Sequence, residues 1–197
     1  MTSFALVTVM HDSADDVARL LRSVERFLDP RPRVVAVDSG SRDGGPDVAG
    51  DHGAELIELD RNRGFGAGCN AAIERVHERV TVLVNPDVEL LDDGIARLAG
   101  EAAATEVLLA PRLSAHPVPG TFEALIPAAL PRFLLPGPLR RRCEPWRSSR
   151  PRAVGWAVAA CIVARTDLLR RLGPFHPEVF LFYEDLDLCL RAADVGV

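Results

Sequence analysis

Three acidic sites in this chain stand where a carboxylate can do chemistry. The first is Asp87, in the run Val82-Leu83-Val84-Asn85-Pro86-Asp87-Val88. Val80 to Val84 is short, β-branched and nearly uncharged, the pattern of a buried strand. Pro86 has no N–H to give a sheet ladder, so the strand must end there. Asp87 is thereby set at the carboxyl edge of a sheet, where open α/β folds take their ligands. A carboxylate in that place suits Mg²⁺ or Mn²⁺, hard cations with oxygen ligands that accompany diphosphates. The second is Asp38, which closes the apolar run Val34 to Val37 and opens the turn Ser39-Gly40-Ser41-Arg42-Asp43-Gly44. It can accept hydrogen bonds from a base or a ribose hydroxyl, whereas Asp43 reads as a helix cap. The third is the pair Glu184-Asp185, which follows the aromatic run Phe180-Leu181-Phe182-Tyr183 and opens a helix. Acids also favour the first turn of a helix on electrostatic grounds, which accounts well for Asp187.

Asn62-Arg63-Gly64-Phe65-Gly66-Ala67-Gly68-Cys69-Asn70 is a glycine-rich turn running into a helix. Exposed amides at a helix start suit anions, and the spacing has the look of a dinucleotide fingerprint. That fingerprint belongs after the first strand of a nucleotide-binding unit, and the loop after the first strand here, Met10-His11-Asp12-Ser13, has no glycine. The alternative is packing, with the glycines admitting close helix–sheet contact. His11 and His176 have no paired ligand in sequence and read as ordinary surface residues.

These residues need a frame. Phe4 to Val9 is a first strand, and Ser13 with Asp16 forms an acidic variant of the capping box before the next helix. Val17, Leu20, Leu21, Val24 and Leu28 recur at helical spacing. Val34 to Val37, Ala54 to Leu59, Thr81 to Val84 and Val107 to Ala110 are further strands. Ala67 to Val76 is helical, and Asp92 or Asp93 caps a helix reaching about Ala103. Such alternation over 1–110 predicts an α/β fold with a mostly parallel, doubly wound sheet. After residue 153, Ala157 to Ala164 is apolar, and short helices are expected at Asp167 to Leu172 and Asp185 to Ala193.

Composition sets bounds on this reading. The 197 residues suffice for one domain with a proper core, and 48% hydrophobic with 26% charged residues is globular. The net charge of −5 argues against a dedicated nucleic-acid binder. Every one of the 23 basic residues is Arg. Cys69, Cys143, Cys161 and Cys189 show no CxxC spacing, so reduced thiols and a cytoplasmic protein are expected rather than zinc or disulfides. No basic leader precedes the first strand, and no apolar stretch reaches membrane-span length.

Taken together, Thr8-Val9, Val37 to Gly44, Asn62-Arg63-Gly64-Phe65-Gly66 with Asn70, Asn85-Pro86-Asp87, and Phe182 to Cys189 with Arg191 resemble the inverting family 2 glycosyltransferases of GT-A fold. The rhamnosyltransferase-like branch is the nearest in pattern. The resemblance implies roles. Thr8 and Asp38 would border the nucleoside, and Asn62, Arg63, Gly64 and Gly66 would lie along the base and phosphates of a nucleotide-diphosphate sugar. Asp87 would be the last carboxylate of a DXD-type metal site whose first acidic position is here Asn85. Asp185 would be the general base toward the acceptor hydroxyl, with Glu184 supporting it or the acceptor. Trp156, in Gly155-Trp156-Ala157-Val158-Ala159-Ala160-Cys161, would sit on the acceptor side, stacked on a sugar or held in the core. The implied reaction moves a sugar to a cell-envelope glycan or polyprenyl-linked acceptor, dTDP-rhamnose being the favoured donor and UDP- or GDP-sugars the alternatives.

On this reading 1–112 is the nucleotide-sugar-binding half, 113–153 an irregular Pro/Arg-rich insert and 154–197 an incomplete acceptor-side segment. The insert carries eight prolines between Pro117 and Pro151, with apolar residues and an arginine cluster. Its expected role is peripheral contact with the inner face of the plasma membrane or with the lipid of the acceptor, set against plain disorder. The chain departs from the family at Phe175-His176-Pro177-Glu178, where Phe-Asp-Glu is usual. It also stops at Val197, before the strand and metal-site histidine with which family members continue, so a truncated chain is expected. Two other functions fit parts of the pattern. One is a non-catalytic nucleotide-sugar-binding module, the other an NAD-dependent oxidoreductase built on Gly64–Gly68.

Overall fold

A computed structural model describes residues 2–112, 150–173, 175, 176 and 178–197. The chain divides into two compact units, Met1–Pro111 with Gly155–Val197, and Arg112–Val154. Of the second, only Arg112 and 150–154 are among the described residues. The expected membrane-contacting stretch and Cys143 therefore lie outside them.

The first unit runs β1 (Phe4–Met10), α1 (Ala14–Phe27), β2 (Arg33–Asp38), α2 (Gly45–Asp51), β3 (Glu55–Glu58), α3 (Phe65–Arg75), β4 (Val80–Val84), α4 (Gly94–Ala104), β5 (Cys161–Arg165), α5 (Thr166–Leu172) and α6 (Glu184–Asp194). The sheet order is β3-β2-β1-β4-β5. β1 pairs in parallel with β2 and β4, and β2 with β3. β5 runs antiparallel to β4, with Val84 opposite Cys161. Val107 to Ala110, expected as a strand, makes only an isolated bridge between Leu109 and Val163.

All seven residues of β1 are buried, as a central strand covered on both faces requires. Its alternation divides the core. Phe4, Leu6 and Met10 join the cluster that includes Leu20 and Leu21 of α1 and Ala99 of α4. Ala5, Val7 and Val9 join Ile73 of α3, Leu168 of α5 and Leu188 of α6 on the other face. The predicted stripe of α1 is buried throughout, from Val17 to Leu28.

The start of α1 corrects one expectation. Ser13 occupies the cap position without a side-chain bond, and its hydroxyl is buried with no partner among the described residues. Asp16 pairs with Arg19 instead of closing a box. The first amide, of Ala14, donates to Oδ2 of Asp43 at 2.8 Å, while Oδ1 of Asp43 accepts from Gly45 at 3.0 Å. One carboxylate from the β2–α2 turn thus serves two helix starts, and the nearer hydroxyl is displaced. α4 is served by Asp92, which accepts from the Gly94 amide at 2.7 Å.

β2 and β3 lie to one side of β1, β4 and β5 to the other. The strand order therefore reverses between β1 and β4, and the crevice outside their carboxyl ends is where such sheets bind ligands.

Candidate functional site

A cavity of about 710 Å³ opens at that reversal. Its floor is built from strand ends: Val9, Met10 and His11 leave β1, Ser39 leaves β2, and Asn85 with Pro86 leave β4. The antiparallel β5 brings a second wall. Because Val84 lies opposite Cys161, the residues entering β5 arrive at the same edge, and the Asn85 amide donates to the Ala160 carbonyl at 3.0 Å. Trp156, Val158 and Ala159 line this side. Trp156 is 49% exposed, so it is a wall residue and not a core one.

The third wall is the segment from Phe180 into α6. Phe182 and Tyr183 both have left-handed backbones, at φ 67° and 66°. Each costs a residue with a side chain roughly 1–3 kcal/mol, an expense that clusters at functional sites. The reversal turns Phe180, Leu181, Phe182 and Tyr183 outward, all at least half exposed, and starts α6 directly on Glu184 and Asp185.

Asp185 is buried and fully engaged. Oδ2 accepts the Ala159 amide at 3.0 Å and Oδ1 accepts the Leu186 amide at 2.7 Å. Two N–H donors, one from the β5 approach and one from the helix start, fix where the carboxylate points. Glu184 is equally buried but differently placed, because its Oε2 has no hydrogen-bond partner among the described residues. Burial, and then the neighbouring charge of Asp185, push its carboxyl above the ordinary range, against its own backbone amide.

The glycine-rich turn is organised from within. The Asn62 side-chain oxygen accepts the Gly64 amide at 3.0 Å, and the Ser39 hydroxyl accepts the Arg63 amide at 3.0 Å. Each glycine then faces something close. A Cβ on Gly64 would overlap the Phe180 carbonyl, with its carbon at 2.8 Å; one on Gly66 would meet Phe175 at 2.9 Å; one on Gly68 would enter the Val9 side chain at 2.6 Å. These contacts are close packing, the use of the glycines that was set against a dinucleotide fingerprint. Phe175 is held further by Asn70, whose amide donates to its carbonyl at 2.9 Å and accepts its N–H at 3.0 Å, and by an edge-on contact with Phe65. Asn70→Ala strips both bonds from a segment that supports the cavity. A loss of about 1–3 kcal/mol is expected, read as a lower denaturant midpoint at unchanged slope.

Of the residues singled out in the sequence, Asn62, Gly64, Asn85, Trp156, Glu184 and Asp185 line the cavity together. Thr8, Asp38, Arg63, Gly66 and Asp87 do not. Thr8 belongs to the β1 side that faces α1, with its hydroxyl buried and without a partner among the described residues. Both oxygens of Asp38 lie within reach of the Ser41 amide, at 3.1 and 3.2 Å, so that carboxylate shapes its own turn. Asp87 is exposed on the turn closed by the Val88 amide and the Asn85 carbonyl. Among the described residues no cluster of three or more His, Cys, Asp or Glu could hold a metal. The donors at hand, Asp87 and the amide oxygen of Asn85, fit a hard cation that brings diphosphate oxygens and water with it. Sequence reading passed over His11, Ser39 and the aromatic wall. Their signal was positional: two directly follow strands, and the third directly precedes a helix with two acids at its start.

Comparison with known proteins bears on this geometry. The model of glycosyl transferase family 2 matches residues 5–156. The N-acetylglucosaminyl-diphospho-decaprenol L-rhamnosyltransferase of Mycobacterium tuberculosis is 25% identical over 219 residues, an alignment covering 97% of this chain and 70% of that protein. Among solved structures, S. aureus TarS 1-349 superposes with a TM-score of 0.73 at 16% identity, covering 97% of this chain and 55% of that one. The mannosyltransferase PcManGT from Pyrobaculum calidifontis, solved with GDP-Man and Mn²⁺, gives 0.69 at 17% identity, covering 98% and 52%. The chain thus spans about half the length of these solved structures.

Proposed function

The chain belongs to glycosyl transferase family 2 and has the GT-A fold, and from that premise we propose that it transfers a sugar from a nucleotide-diphosphate donor to a hydroxyl group with inversion. The observation that carries the reading is the single cavity at the sheet reversal, with Asn62, Gly64 and Asn85 on the strand-end side and Asp185 on the facing wall. A rhamnosyltransferase among the relatives favours dTDP-rhamnose as donor and a lipid-linked cell-envelope glycan as acceptor. Work at the inner face of the plasma membrane goes with such an acceptor; among the described residues no helix is long and apolar enough to cross a membrane.

In this reaction Asp185 takes the proton of the acceptor hydroxyl. The oxygen then forms a bond to the anomeric carbon from the side opposite the diphosphate, and the bond from that carbon to the diphosphate oxygen breaks. The Ala159 and Leu186 amides keep the carboxylate aimed before the step. Asn62 and Ser39 hold the turn beneath the donor, and the exposed aromatic wall gives sugar rings an apolar face to lie on. Mg²⁺ or Mn²⁺, held by Asp87 together with the diphosphate, would offset the charge that collects on the departing nucleotide.

The test is a thermal-shift series of dTDP, UDP and GDP with and without Mn²⁺. At a ligand concentration of 100 times Kd, binding adds about 2.7 kcal/mol of stability. The expected result is a shift for one base above the others, enlarged by Mn²⁺ in the wild type and not in Asp87→Asn. Equal shifts with and without the metal would remove Asp87 from the reading.

A further inference from the structure

The two carboxyl groups that open α6 sit side by side in opposite surroundings. Asp185 receives two backbone amides. Glu184, buried to the same degree, leaves Oε2 with no partner among the described residues, although the residue lines the cavity. An ionised oxygen sealed from water and unpartnered is expensive, and a proton removes most of that expense. Adjacent carboxylates also resist double ionisation. Among the described residues the surroundings supply no counter-charge: Asp185 is beside it on α6, the Cys69 thiol faces it from α3, the Tyr183 hydroxyl precedes it at the exposed rim, and His11 lies on the wall after β1. The Cys69 thiol is itself driven well above its ordinary range, first of all by burial, so it stays neutral.

Building on the transferase reading, we propose that the pair divides its work: Glu184 stays protonated as a neutral positioning residue, and Asp185 is the carboxylate that takes the acceptor proton. The neutral carboxyl keeps a second negative charge away from an anionic nucleotide diphosphate. The sign of its stability effect follows. The folded protein holds this proton more tightly than the unfolded chain, so the stabilisation is fully present below the ordinary carboxylate range. It is lost as pH rises through the raised value.

Infrared spectra of the whole 197-residue chain at pH 7, without any ligand, test this directly. A protonated-carboxyl band is expected in the wild type, lost in Glu184→Gln and retained in Asp185→Asn. Denaturant midpoints across pH should fall with rising pH in the wild type and stay flatter in Glu184→Gln. With dTDP-rhamnose as donor, Glu184→Ala should lose transfer and Glu184→Gln should restore part of it, without the alkaline fall of the wild type. A missing band, or a band that survives Glu184→Gln, overturns the proposal. So does a Glu184→Gln variant as inactive as Asp185→Asn, since the residue would then have to ionise. Failure of the wild type to turn over any nucleotide sugar counts against the transferase reading alone, because the band and the midpoints need no substrate.

Discussion

Asp185→Asn is expected to lower sugar transfer by about 10²–10⁴-fold while nucleoside-diphosphate binding persists, the size usual for loss of a positioned general base. The prediction is sharp because the side chain is so fully specified. Asp185 is only 7% exposed, and its oxygens accept the Ala159 amide from the β5 approach and the Leu186 amide at the start of α6. Asn keeps one acceptor oxygen, so one of these amides loses its bond. That costs about 1–3 kcal/mol and must be measured separately as a denaturant midpoint. The loss of turnover should exceed what this destabilisation unfolds, because a carboxamide is far too weak a base to take the proton of a hydroxyl. Two results would sink the base assignment. One is donor consumption at the wild-type rate in the variant, and the other is a wild type that binds dTDP or UDP tightly and never turns over its sugar. The second result would establish the non-catalytic binding module in its place.

How far the sequence foretold this site depended on what kind of information each residue carries. Periodicity located the stripe of α1 and the apolar runs of β1, β2 and β4, because burial on a regular element leaves a repeating mark. It could not give the direction of β5. Ala157 to Ala164 is merely apolar, and antiparallel pairing with β4 follows from where the preceding segment delivers the chain. Asp43 was legible as a cap, but its principal client, Ala14, lies 29 residues away. No local pattern states that. The same limit explains the glycines. Gly64, Gly66 and Gly68 have the spacing of an anion-binding turn, yet what decides their use is the arrival of Phe180, Phe175 and Val9 from distant stretches. Asp38 and Asp185 both look like free carboxylates at the ends of motifs. In the fold one closes on Ser41 and the other bridges two segments, and only the second faces the cavity.

Gly64→Ala is expected to be the most damaging substitution outside the acidic pair. Two costs add at this position. The backbone lies at φ 84° and ψ 168°, a region essentially reserved for glycine, which charges a residue with a Cβ about 1–3 kcal/mol. The new methyl also overlaps the Phe180 carbonyl, a backbone group with no rotamer to change, and such overpacking costs about 1–3 kcal/mol. A stability loss of about 2–6 kcal/mol follows from the sum of the two. What separates this site from an ordinary tight glycine is where the displaced backbone leads. Phe180 begins the wall that passes through the left-handed pair Phe182 and Tyr183 into Glu184 and Asp185. Any movement that admits the methyl must shift the acidic start of α6 relative to the donor-side turn. The variant should therefore lose turnover even at temperatures where it remains folded, and Gly44→Ala, whose Cβ meets nothing within 4 Å, provides the control. A folded Gly64→Ala protein with wild-type kcat would show that the two walls are not coupled through this contact. A drop in kcat with nucleoside-diphosphate affinity retained would show that Gly64 fixes the distance between the donor turn and the base.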